Sequence, residues 1–253
     1  MTRTFGAIVA GAATLYLAAA RPVASQEPPL PTSREVIARS IAALGGEKAF
    51  KAVRSFHAVG KMVITGPGIS ADFELFAARP ARVVYRLNIA GIGKVENGFD
   101  GKVGWSVNPV SGPELLKDKQ LQETSEDAWF DSPLHTADRI RSMEVVGRVE
   151  FDGHQTYKLK VEFPSGNQQF EYYDVTSGLQ AGTEGSKALP QGVVPTTSFM
   201  RDYKKFGALM QPTTIVQRAL GLDQIVTIAS FDYDKVPDSV FDIPAEVKPL
   251  LAK

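Results

Sequence analysis

The sequence predicts an α+β chain: one curved antiparallel sheet with a few helices laid over it. Three observations predict it. Beyond residue 54, much of the chain alternates apolar and polar residues with a period of two, the mark of strands dry on one face and wet on the other. The links between these runs are short and rich in Gly, Asp, Asn and Pro, which favours hairpins and hence antiparallel pairing. Helical periodicity is confined to the stretch before residue 54 and to one insertion, Pro113–Ser142.

The N-terminus reads as an address. Met1–Arg3 carries a positive charge, Phe5–Ala20 carries none and is rich in Ala and Gly, and Arg21 ends the run. The run is shorter than the ~20 apolar residues that span a bilayer. Val23-Ala24-Ser25 then supplies small residues suited to signal peptidase. Residues 1–25 are therefore expected to be a signal peptide and residues 26–253 one mature domain, exported to the periplasm. A retained membrane anchor is the alternative. Gln26–Pro31 is proline-rich and reads as a tether.

Thr32-Ser33-Arg34-Glu35 has the S/T-x-x-E form of a capping box. Ile37, Ile41 and Leu44 follow at i, i+4 and i+7, so one helical face is apolar. Gly45-Gly46 stops that helix, and Glu47–Val53 reads as a second, short helix burying Phe50 and Val53. The strands come next. Ile69, Ala71, Phe73 and Leu75 alternate with Ser70, Asp72 and Glu74. Val83, Tyr85, Leu87 and Ile89 form a second run, and Val103, Trp105 and Val107 a third. Tyr157, Leu159, Val161 and Phe163 form a fourth; Ile225, Thr227, Ala229, Phe231 and Tyr233 form the last. About ten or eleven strands are expected in all. Pro113–Ser142 holds Leu115, Leu116, Leu121, Trp129, Phe130, Leu134 and Ile140 among many charges, and reads as one or two helices.

Composition excludes several classes of function. The chain has 28 basic and 28 acidic side chains, so nothing marks it for nucleic acid. With no cysteine it can form no disulfide, no thiolate metal site, no cysteine nucleophile and no lipidated N-terminal cysteine. Its 3 histidines, His57, His135 and His154, have no metal-ligand spacing. Asp131, Ser132 and His135 lie close in sequence and invite a hydrolase reading. A triad is defined by geometry, however, and the stretch lacks a G-x-S-x-G elbow. Glu123, Glu126, Asp127 and Asp131 read as a solvated helix face. No catalytic residue, metal or cofactor is expected.

An apolar sheet face must be covered, and only the N-terminal helices and the insertion are at hand to cover it. A twisted sheet of this size curls, so sheet and helices would enclose either a cavity or a packed core. An apolar cavity would hold acyl chains at about 0.8 kcal/mol per buried CH₂.

Four blocks of sequence carry a resemblance. Ser55-Phe56-His57-Ala58 opens the first strand. Arg79-Pro80 precedes Val83-Val84-Tyr85-Arg86. Phe99-Asp100-Gly101 is followed by Trp105 and Asn108-Pro109, and Pro237-Asp238-Ser239-Val240-Phe241-Asp242-Ile243-Pro244 closes the chain. In order and spacing the chain resembles the LolA-like superfamily of periplasmic lipoprotein and lipid carriers. The resemblance implies an incomplete β-barrel whose concave face is closed by helices over an apolar cavity. It implies lipid or lipoprotein acyl chains as cargo, membrane-bound donor or acceptor proteins as partners, and a monomer. It places Arg79 where an arginine holds the helical lid shut through backbone carbonyls. Phe73, Leu75, Tyr85, Leu87, Trp105, Tyr157 and Leu159 are the expected lining of the cavity. A periplasmic sensor or interaction module on the same sheet is the rival reading, with a hydrolase behind it.

Overall fold

The computed structural model describes residues 29–189 and 192–252, so the expected signal peptide lies outside the described residues. Helix α1 (Ser33–Ala43) starts on the capping box. The Glu35 amide donates to Thr32 Oγ1 at 3.3 Å, and the Thr32 amide donates to Glu35 Oε2 at 2.7 Å. Gly45 ends the helix at φ +118°, and a Cβ there would sit 2.3 Å from the Ala208 carbonyl oxygen. Glycine is needed twice over: for the left-handed turn and for the approach of a later hairpin. Helix α2 (Glu47–Ala52) follows at once, with Phe50 and Val53 half-buried rather than buried.

The strands are β1 (Ser55–Ile64), β2 (Ile69–Ala78), β3 (Arg82–Ile89), β4 (Gly93–Phe99), β5 (Gly104–Asn108) and β6 (Gly112–Leu115). After the insertion come β7 (Ser142–Phe151), β8 (His154–Glu162), β9 (Gln168–Asp174), β10 (Gln180–Leu189) and β11 (Gly192–Arg201). The last are β12 (Lys204–Phe206), β13 (Leu209–Gln211), β14 (Thr214–Ala219) and β15 (Leu222–Tyr233). Thirteen of these form one antiparallel sheet in the order β6-β5-β4-β3-β2-β1-β15-β14-β11-β10-β9-β8-β7, while β12 and β13 pair apart from it. The sheet is not closed: β6 and β7 are its two edges. The count exceeds the expected ten or eleven in large part because β6, β12 and β13 have 4, 3 and 3 residues, too few to show an alternation.

The insertion differs from its reading at one end. Pro113–Leu115 belongs to edge strand β6, and the helix proper is α3 (Asp118–Asp127), followed by a 3-10 turn at Ser132–Leu134. Because β6 and β7 lie at opposite edges, the chain between them must cross the sheet. The insertion is thus a strap from edge to edge over the concave face.

Pairing register decides which side chains share that face. One row runs Ile64–Gln224–Gln217–Ser198–Thr183–Glu171–Leu159 across seven strands. Phe73 and Leu87 share its face, packed in one cluster with Met62, Val226 and Ile228. That cluster is built wholly of strand residues, so the curl of the sheet buries it. The convex face of β2–β5 is covered instead by the C-terminal segment, where Phe241 and Val247 pack on Phe76, Val84 and Trp105.

Candidate functional site

A cavity of about 500 Å³ lies between the concave floor of β9–β11 and β14 and a roof of four pieces. The roof comprises Ser40 and Leu44 at the end of α1, Phe50 of α2, the strap, and Leu209–Pro212 of the β12–β13 hairpin. The hairpin is anchored by a bond from the Met210 amide to the Leu44 carbonyl at 3.0 Å. The lining is mixed. Leu44, Phe50, Phe163, Met200, Leu209 and Met210 are apolar, while Gln169, Thr183, Thr196, Ser198 and Gln217 form a polar floor.

The strap is fastened at several points. Arg79, just past β2, donates from Nε to the Val53 carbonyl at 2.7 Å and from a terminal nitrogen to the Phe50 carbonyl at 3.2 Å. Its other terminal nitrogen pairs with the Asp131 carboxylate of the strap, and its guanidinium lies 4.7 Å from the Phe130 ring centroid. The Phe130 amide donates to the Pro80 carbonyl at 3.0 Å. The backbone carbonyls that Arg79 binds thus belong to the end of α2 and the residue following it, and the strap is reached through a side chain.

The acidic stretch is not a solvated face. Glu123 is buried and accepts from the Ala188 amide at 2.8 Å. Glu126 accepts from Asn167 Nδ2 at 2.9 Å, and Asp127 pairs with Lys187. These carboxylates clip α3 to β10 and to the β8–β9 turn.

His135 ends the 3-10 turn in the left-handed region, at φ 47°. Its Nε2 lies 2.8 Å from Glu171 Oε2 of β9, and both side chains are only 5% exposed. Glu171 also accepts from the Tyr173 hydroxyl at 2.6 Å and from Gln169 Nε2 at 2.6 Å. Burial works against charge on both partners, but the pairing outweighs it: the Glu171 carboxyl is held below its ordinary range and the His135 imidazole above its own. Burial, reinforced by the neighbouring carboxylate, pushes the Tyr173 phenol well up, so it stays a donor.

This geometry answers the hydrolase reading. Ser132 and His135 do line the cavity, and a buried carboxylate touches the imidazole. The other ring nitrogen, Nδ1, lies 3.2 Å from the Pro133 carbonyl, so both nitrogens are engaged away from Ser132. An imidazolium bonded on both sides has no lone pair to take a serine proton. Among the described residues no group of three or more His, Asp or Glu side chains could hold a metal ion. His154 is exposed, and His57 stacks on Phe76 at 4.1 Å on the convex side.

None of the residues expected to line the cavity borders it. Phe73, Leu75, Tyr85 and Leu87 are on the concave face but belong to the strand cluster in the other half of the sheet. Tyr157 and Leu159 share the concave face too, packed beneath Val36 and Ile37 of α1. Trp105 is on the convex face. It pairs with Gly98 in the row of Phe76 and Val84, one step from the row of Leu75 and Tyr85. Its ring fills the space a Gly98 side chain would need, since a Cβ there would meet it at 2.2 Å. The apolar strand residues pack on one another, with Leu75 and Tyr85 half-buried at the margin of their cluster, whereas the cavity lies over the polar residues of β9–β11 and β14. The missed lining residues had one weak signal: Thr183, Thr196, Ser198 and Gln217 interrupt the apolar face that the neighbouring strands continue.

No family model matches the chain, and no curated protein matches it. Solved structures do. A LolA superfamily protein from Nitrosomonas europaea superposes with a TM-score of 0.59 at 14% identity, over 85% of this chain and 99% of that one. A DUF1329 family protein from Desulfovibrio piger gives 0.59 at 11% identity, over 84% and 98%. An outer membrane lipoprotein-sorting protein domain from Vibrio parahaemolyticus gives 0.56 at 13% identity, over 87% and 98%. The chain has the LolA-like fold.

Proposed function

We propose that this chain is an exported carrier that holds a lipid or lipoprotein acyl chain in the concave cavity, without catalysis and without a cofactor. One observation carries the reading: a LolA-like sheet that does not close, strapped from edge to edge, with an unfilled space of about 500 Å³ beneath the strap. That volume falls within the range of small-molecule pockets. Leu44, Phe50, Leu209 and Met210 supply an apolar roof against which an alkyl chain can lie. The solved structures with this fold include one named for lipoprotein sorting. In this account Arg79, bonded to α2 and to the strap at once, holds the cavity shut, and the periplasm is where the carrier works.

Native mass spectrometry of protein purified without detergent, followed by lipid extraction, tests the proposal. A reproducible co-purified lipid is expected. Ligand-free protein that binds no added amphiphile would instead favour an interaction module on the same sheet.

A further inference from the structure

The floor of the cavity is unusual for a site that takes only hydrocarbon. Thr183, Ser198 and Gln217 sit side by side in one register row, face the cavity, and are half-buried. Each carries a donor and an acceptor. Polar groups in such a place require partners, which water or a ligand must supply. A bare alkyl chain would displace that water and return nothing, whereas a hydroxyl or amide would replace its bonds.

The charged side chains around the floor already have partners, although the hydrogen-bond partners of Glu123 and Glu126 in the lining are neutral amides. Glu171 is paired with His135, Asp127 with Lys187, and Glu123 and Glu126 accept from Ala188 and Asn167. No lining ammonium is left over for an anion: Lys187 is committed to Asp127. A phosphate or carboxylate entering here would meet the carboxylates of Glu123, Glu126 and Asp127 on the strap and of Glu171 on β9. We propose that the polar half of the cavity binds an uncharged polyhydroxyl group, with the attached chain running along Phe50, Leu209 and Met210. The cargo would then be a neutral glycosylated or glycerol-like lipid. This rests on the carrier reading of the same cavity, and adds to it the chemistry of the headgroup.

Probes with one chain length and different heads test it: dodecyl maltoside, laurate and dodecyltrimethylammonium, with free maltose as the control that carries the head without the chain. Binding is measured by calorimetry below the micellar concentration, for the parent chain and for Gln217→Leu and Thr183→Val/Ser198→Ala variants shown to melt as the parent does. Dodecyl maltoside is expected to bind about tenfold tighter than the charged probes, and each variant to lose most of that margin. Laurate or the ammonium binding as tightly as the maltoside would overturn the headgroup proposal and leave the carrier reading standing. Free maltose binding as tightly as dodecyl maltoside would support the polyhydroxyl site and overturn the lipid carrier. No binding by any probe would overturn both.

Discussion

Replacing His135 by leucine removes the cation from a pair that is buried on both sides. Glu171 would keep its bonds from Tyr173 and Gln169 but lose its only counter-charge among the described residues that touch it. Breaking a buried pair from one side costs about 3–5 kcal/mol. At about 2–4 °C per kcal/mol for a chain of this size, the melting temperature should fall by roughly 6–20 °C. The loss should be local in origin. Hydrogen exchange should quicken in Trp129–Arg141, which the pair fastens to β9, and change little in β1 and β2. A His135→Leu/Glu171→Leu double variant should regain most of the stability, because it removes the stranded carboxylate as well. pH supplies a second check. The carboxyl, held below its ordinary 4.5, contributes stability above that value and loses it as pH falls through its lowered pKa. The imidazole, held above its ordinary 6.5, contributes stability below that value and loses it as pH rises through its raised pKa. The pair therefore contributes most between those two ordinary values and less on either side, and His135→Leu should flatten this dependence. A variant that melts within about 3 °C of the parent across that range would refute the reasoning.

Arg79→Leu removes bonds to two carbonyls and one carboxylate, each worth about 1.5–3 kcal/mol as bonds to a charged group. Exchange should speed up across α2 and the strap while β8 stays protected, and lipid retention or release should change; an unaltered profile in both measurements would make Arg79 an ordinary strand-end charge. Trp105 is 0% exposed beneath the C-terminal segment, so brominated fatty acids should fail to quench a Trp129→Phe variant even when binding is demonstrated. Quenching there would put cargo on the convex face. N-terminal sequencing of the exported protein should begin at or near Gln26, and a mature chain still starting at Met1 would favour an anchor.

Much of the fold was legible in the sequence. The capping box, the paired glycines after α1, and the long alternations of β2, β3, β8 and β15 each reported a local rule that tertiary contacts left in force. The cavity was less legible, for a physical reason. Alternation says which residues share a face, but not whether that face is concave or convex. Trp105 and Leu75 each sit in a clean alternating run, and only the register across β3 and β4 places them on opposite sides. Nor does apolarity mark a void: the best apolar runs joined a cluster of strand side chains, and the cavity lies over Thr183, Ser198 and Gln217. The acidic stretch misled in the same way, because its partners Lys187, Asn167 and the Ala188 amide lie 41–65 residues away in the chain.

The central claim is that the acyl chain lies beneath the strap, in the half of the concave face floored by β9–β14. Photo-crosslinking with a diazirine-bearing fatty acid, followed by peptide mapping, tests it directly. The account predicts labels on Phe50, Met200 and the Leu209–Met210 hairpin, and their loss when unlabelled lipid competes. Labels confined to Phe73–Leu87 or to Trp105, or scattered over the surface without competition, would contradict it.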